Sequence, residues 1–255
     1  MKPFYVVAIC MASILICLQS NAQKLIGGDN IIKTNISADA LNNINISYER
    51  NILPFVSIMA SYRTMPLSSL PLKGLAKNFI KSDAIDFDQF KIGNNAITLE
   101  SRFYIGIQKM SGFYIAPYYR SANFDIDVPI AYTYNTGLPL VPSITQSANF
   151  KGTLRSQSMG VYVGMQFQLL TKLVIDFWMI GGHYGSTNGK LAFIPPTAST
   201  PLPLLAQQSL QQSLNSIKAS PFSIKSTVDA NGATADLTGP WAGIRGAGLT
   251  LGLRF

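Results

Sequence analysis

The sequence predicts an all-β fold: an eight-stranded antiparallel up-and-down transmembrane β-barrel with long outer loops. Three observations predict it. Apolar and polar residues alternate one for one in eight segments, which is the side-chain period of a strand. Beyond the first 22 residues, no stretch gives about 18 consecutive apolar residues, so helical membrane spans are not expected. Charged residues make up only 13% of the chain, about half the usual globular share. A chain low in charge, rich in two-periodic segments and carrying an export signal fits a barrel that crosses a membrane.

The export signal comes first. MKPFYVVAICMASILICLQSNAQ has an early cation (Lys2), an apolar run from Phe4 to Leu18 and a small-residue exit at Ser20-Asn21-Ala22. This pattern reads as a signal peptide over residues 1–22, cleaved after Ala22, which leaves an outer-membrane β-barrel domain over residues 23–255. The apolar run of about 15 residues falls short of the roughly 20 that a spanning anchor helix needs. Ile16 before Cys17 is too bulky for a lipoprotein start. Cys10 and Cys17 both lie in this segment, so the mature chain carries no disulfide, no thiol nucleophile and no Cys-ligated metal. Removing Lys2 leaves 19 basic residues against 12 acidic, a net +7. These charges are scattered, and no Lys/Arg cluster with interleaved aromatics marks a nucleic-acid surface.

The eight segments are Ile31–Ala40, Asn43–Arg50, Phe55–Met65, Asn95–Ile105, Gly112–Ser121, Ser156–Leu169, Lys172–His183 and Trp241–Phe255. Each is near the roughly 9–11 residues of a tilted membrane strand. Short links follow the second, fourth and sixth segments, at Asn51–Pro54, Gly106–Ser111 and Leu170–Thr171. Long ones follow the third, fifth and seventh, over Pro66–Asn94, Ala122–Arg155 and Tyr184–Pro240. Short periplasmic turns and long outer loops are the rule of such barrels. Only the first link, near Leu41–Asn43, is short on the long-loop side.

The faces follow from the alternation. Ile44, Ile46 and Tyr48 oppose Asn45, Ser47 and Glu49; Val161, Val163, Met165 and Phe167 oppose Gly160, Tyr162, Gly164, Gln166 and Gln168. The seventh segment is less clean, with Leu173, Ile175, Phe177 and Met179 alternating with Val174, Asp176, Trp178 and Ile180. A soluble barrel also alternates, with its apolar face inward. The inside-out version is favoured because the polar face is rich in Gly, Ser, Asn, Gln and Tyr, as a cramped lumen requires. The apolar face also places Tyr48, Phe103, Phe113, Phe167 and Phe255 at one rim and Tyr62 and Tyr119 at the other, as aromatic girdles.

An eight-stranded barrel is just wide enough for side chains to fill it. The inward set then holds Lys33, Glu49, Arg63, Glu100, Arg102, Arg120, Asp176 and Arg254, and such charges must pair. The expected network puts Glu49 near Lys33 and Arg254, and Glu100 near Arg102 and Arg120, with Tyr104, Tyr114, Tyr118 and Tyr162 hydrogen-bonding to it.

No catalytic, cofactor-binding or metal residue is assigned from the sequence, and no cofactor is expected. His183, the lone histidine, sits beside Tyr184 and Ser186 at the outer end of its strand, where a lipid-modifying hydrolase would need it. No G-x-S-x-G nucleophile motif accompanies it. Asp83, Asp86 and Asp88, then Asp125 and Asp127, read as solvated loop carboxylates rather than a Ca²⁺ loop. In LPLLAQQSLQQSLNSIKAS, Leu204 or Leu205, Leu210, Leu214 and Ile217 recur near helical spacing, which predicts a short amphipathic helix over about Pro203–Ala219, capping the mouth or resting on the outer leaflet. Pro195-Pro196 and Pro201–Pro203 read as loop spacers.

Taken together, "IIKTNISADALNNINISYERN", "ESRFYIGIQKMSGFYIAPYYRS", "GVYVGMQFQLLTKLVIDFWMIGGHYGS" and the closing "GAGLTLGLRF" resemble the DUF3575 outer-membrane proteins of Bacteroidota. The resemblance covers most of the mature chain. It implies location and fold, and it carries over no functional residues, since that family has no established activity. The terminal LTLGLRF also resembles the sorting signal read by the barrel-assembly machinery. The implied product is a non-enzymatic outer-membrane protein whose filled lumen anchors surface loops for binding or envelope support. The alternatives are a lipid hydrolase using His183, or a narrow pore. Outer-membrane lipids, lipopolysaccharide and the assembly machinery are the expected partners.

Overall fold

The computed structural model describes residues 28–255 apart from 71–72, 81, 107, 140, 170–171 and 196–200; the signal-peptide and Leu170–Thr171 assignments lie outside the described residues. Eleven strands form one sheet. They are β1 Asn30–Asn35, β2 Ile44–Leu53, β3 Val56–Ser69, β4 Lys91–Ile105, β5 Gly112–Leu138, β6 Val141–Leu169, β7 Leu173–Phe193, β8 Ser223–Asp229, β9 Gly232–Pro240, β10 Gly243–Arg245 and β11 Gly248–Arg254. Among the described residues three helices interrupt them: α1 Ile36–Asp39, α2 Lys73–Phe79 and α3 Leu204–Ser216. Strands β1 to β7 pair in sequence, and β11 pairs with both β1 and β7, so eight antiparallel strands close into a ring. Within the ring, closure leaves no free sheet edge.

The ring is inside out relative to a water-soluble sheet. Lys33, Glu49, Glu100, Arg102 and Asp176 are buried within it, while Ile46, Ile58, Leu99, Ile115 and Val161 are exposed on its outer wall. The alternation read from the sequence therefore points the way it was expected to point. The seventh segment looked two-sided because its phase changes. Val163 pairs with Ile180 and Gly164 with Trp178, which leaves Met179 as an extra residue in β7. Val174 and Asp176 face inward before that bulge, and odd-numbered residues do so after it.

The structure extends the expected strands on the long-connection side. β5 and β6 continue past Ser121 and Ser156 as one hairpin up to Leu138 and Val141. β7 exchanges partners as it rises. It pairs with β11 over Leu173–Trp178, with β10 over Gly181–His183 and with β9 over Ser186–Phe193. The long connections are thus an ordered head of sheet β5-β6-β7-β9-β8, crossed by α3 and by the segment before β4, where Ala131 donates to Ala84 O at 2.7 Å. Helix α3 falls within the predicted span. Ala206, Leu210 and Leu214 pack into a core with Val128, Ile130 and Phe150 of the sheet. Ser209 Oγ donates to Thr133 O at 2.5 Å.

Two boundaries shift. The first segment ends as strand at Asn35, whose side chain caps α1 by accepting from Ala38 N at 2.9 Å. The last splits at Gly246-Ala247 into β10 and β11.

Candidate functional site in the lumen

One hydrogen-bonded network crosses the ring. Arg102 (β4) lies at its centre, only 2% exposed. Its Nη1 donates to Asp176 Oδ2 (β7) at 2.6 Å and to Gln166 Oε1 (β6) at 3.3 Å, and its Nη2 to Glu100 Oε2 at 3.3 Å and Tyr162 OH at 2.8 Å. Glu49 (β2) stands 3.5 Å from Arg102 and pairs with Lys33 (β1), which also reaches Asp176 at 3.0 Å and donates to Gln166. Ser57 (β3) donates to Glu49, as does Tyr104 OH at 2.5 Å; Tyr114 (β5) donates to Asp176 at 2.6 Å, and Tyr162 to Glu100. Seven of the eight ring strands thus contribute a polar side chain.

The eighth contributes space. A Cβ on Gly252 of β11 would meet the Lys33 stem at 2.9 Å. Gly160 does the same for the Tyr118 ring, where a Cβ would come within 2.7 Å. At the short-turn end, Met110 is buried in the lumen and its carbonyl accepts from Gln166 Nε2 at 2.7 Å.

Most of the expected inward set is found there, with two corrections in pairing. Arg254 does not approach Glu49. It sits at the short-turn rim and donates to Gly28 O and Gln168 Oε1, both at 2.6 Å. Arg120 shares a cavity with Glu100 but makes no ion pair with it within 4.0 Å; it donates to Thr98 Oγ1 at 3.0 Å. The second cation at Glu100 is Arg245 of β10, 3.5 Å away and stacked on Tyr162 at 4.3 Å, Trp178 at 4.7 Å and Tyr118 at 5.1 Å. Sequence reasoning missed Arg245 because the chain breaks at Gly246-Ala247, so its direction is set only by pairing with Gly181. Met110 was missed as well, and Gln166, though placed on the inward face, was not assigned to the network. Gln166 carried a signal, since it alternates in phase with Tyr162.

His183 and the neighbouring Ser186 do not converge. His183 faces inward and Ser186 outward, on opposite faces of β7. The charged groups acting on His183 are Arg120 and Arg245, both cations. The loop carboxylates stay local. Asp88 pairs with Lys73 at 3.0 Å, and that hydrogen bond and charge hold its carboxyl below the usual range. Asp125 accepts from Thr153 at 3.0 Å, and Asp127 lies 3.4 Å from Lys151. Among the described residues, no three His, Cys, Asp or Glu side chains converge to hold a metal ion.

A family model described as a protein of unknown function, DUF3575, matches residues 7–194. The chain belongs to the DUF3575 family. The match ends one residue after β7, so it takes in β1 to β7 and leaves out α3, the β8–β9 hairpin and the closing strand. No curated protein and no solved structure matches the chain.

Proposed function

We propose that this DUF3575 chain is a non-enzymatic outer-membrane β-barrel of the Bacteroidota type. Its side-chain-filled lumen anchors an ordered head outside the cell, for binding or envelope support. The observation that carries this reading is an inversion of polarity along single strands. On the outer face, β6 reads Phe167, Met165, Val163, Val161, Met159, then Gln157, Arg155, Thr153, Lys151. On its inner face, polar Gln166 and Ser158 give way to Ala148 and Phe150. The change falls at one level on neighbouring strands: Tyr119, Met159 and Tyr184 are register partners in the last apolar row, and Ser121, Gln157 and Ser186 in the first polar row. A sheet in one solvent has no reason to switch faces. A strand passing from hydrocarbon into water does.

Dimensions support it. From Leu169 to Met159 the strand rises about 33 Å, at ~3.3 Å per residue. Tilted by about 40°, that covers roughly the 25 Å apolar band of such barrels. Signal peptide, outer-membrane lipids, lipopolysaccharide and the assembly machinery belong to the same proposal. The pore reading is disfavoured by Arg102 and its partners across the lumen and by Met110 beneath them.

The absence of cysteine from the mature chain supplies the test. Single Thr153→Cys and Val163→Cys variants are treated in intact cells with a membrane-impermeant maleimide. The proposal requires Thr153→Cys to label readily and Val163→Cys to label only after denaturation. Equal labelling of the two would overturn it.

A further inference from the structure

The lumen has too few negative charges for its cations. Below the mouth, Lys33, Arg63, Arg102, Arg120 and Arg245 face Glu49, Glu100 and Asp176. Asp39 acts on Arg63 from the rim, yet its two oxygens already accept from Thr34 Oγ1 at 2.7 Å and Asn45 N at 3.2 Å. Even with Asp39 counted, cations exceed anions by one.

That excess is localised. Arg63, Arg102, Arg120 and Arg245 line one cavity of about 20 Å³ against two carboxylates, Glu100 and Asp176; it has room for a water or two or a single small ion. Among the described residues, neither Arg63 nor Arg120 has a carboxylate within 4.0 Å. The buried side-chain atoms here that lack a protein hydrogen-bond partner are Arg63 Nε, Arg245 Nη1 and the neighbouring Tyr118 OH. Arg245 Nη1 is within ion-pair range of Glu100 without hydrogen-bond alignment. All three are donors. Buried donors and an uncompensated positive charge both call for an acceptor that is an anion.

We propose that this cavity binds one monovalent inorganic anion of chloride size, held by Arg63, Arg120 and Arg245. A cavity with room for one or two waters suits a small ion, and the excess of one positive charge matches one halide. The site is structural: the anion completes the charge balance of the lumen beneath the head. This inference concerns the lumen alone and does not depend on which membrane surrounds the ring.

The test uses the full mature chain, purified and folded in detergent. Its unfolding midpoint is compared in chloride and in gluconate, which is too large for the cavity, at equal ionic strength. Chloride should raise the midpoint by about 2–4 °C, the shift of roughly a kcal/mol of linkage in a chain this size. In Arg120→Gln the difference between the two salts should vanish, which separates site binding from a general salt effect. Crystals grown in bromide should show its anomalous signal in the cavity. Equal midpoints for the wild type, a chloride effect that persists in Arg120→Gln, or bromide confined to the outer surface would each overturn the proposal.

Discussion

At the residue scale, Asp176 shows what the lumen demands. It is shared by Arg102 at 2.6 Å, Lys33 at 3.0 Å and Tyr114 at 2.6 Å. Asp176→Asn would leave two buried cations short of a partner, and breaking one side of a buried ionic network costs about 3–5 kcal/mol. Tyr114→Phe removes one hydrogen bond to a charged group, about 1.5–3 kcal/mol. Heated gels of the folded protein should therefore show the folded band lost at the lowest temperature for Asp176→Asn, at an intermediate one for Tyr114→Phe, and at the highest for wild type. A reversed order would mean that packing of the tyrosines, not charge pairing, holds the lumen together.

At the element scale, β6 and α3 do different work. Gly160 on β6 lies under the Tyr118 ring, and Gly160→Ala puts a methyl 2.7 Å from it. Overpacking of this kind costs about 1–3 kcal/mol, and the effect should appear as a lower unfolding midpoint of the ring. Helix α3 supports the head instead. Leu210 is fully buried among Ile130, Phe150 and Leu191. Leu210→Ala should cost about 2–5 kcal/mol of local stability. Limited proteolysis should then cut faster within residues 194–240, while the heat resistance of the ring stays as in wild type. Loss of both together would show that ring and head unfold as one unit. These elements were legible to different degrees. The eight ring strands and α3 announce themselves through period 2 and near-helical spacing. The upper halves of β5, β6 and β7 do not, because Asn123, Asp125, Asp127, Lys151 and Arg155 on their outer face look like loop composition unless the inner face is known to be covered.

At the scale of the whole molecule, the proposed membrane setting has the sheet meeting two solvents, hydrocarbon along the apolar rows and water above them. Val163 lies in the middle of the outer apolar rows and Thr153 above them. Val163→Arg should cost about 2–4 kcal/mol of folding free energy in phospholipid vesicles, the penalty for a lipid-facing arginine near the midplane. Thr153→Arg should be near neutral in the same urea titration. Similar small effects at both positions would argue that the apolar wall meets no hydrocarbon.

The sequence by itself determined which side chains share a face, that the polar set is enclosed, and that Lys33, Glu49, Glu100, Arg102 and Asp176 need partners. Alternation is a local property of the backbone, so period 2 carries that much without a fold. Only the tertiary structure decided the partners: Arg245 rather than Arg120 at Glu100, Arg102 rather than Arg254 at Glu49, and β9 in place of β11 beside the upper part of β7. Pairing depends on register, on the bulge at Met179 and on closure of the ring, and these join residues from 40 positions apart (Phe193 and Ala233) to 145 (Glu100 and Arg245), which no local pattern can connect.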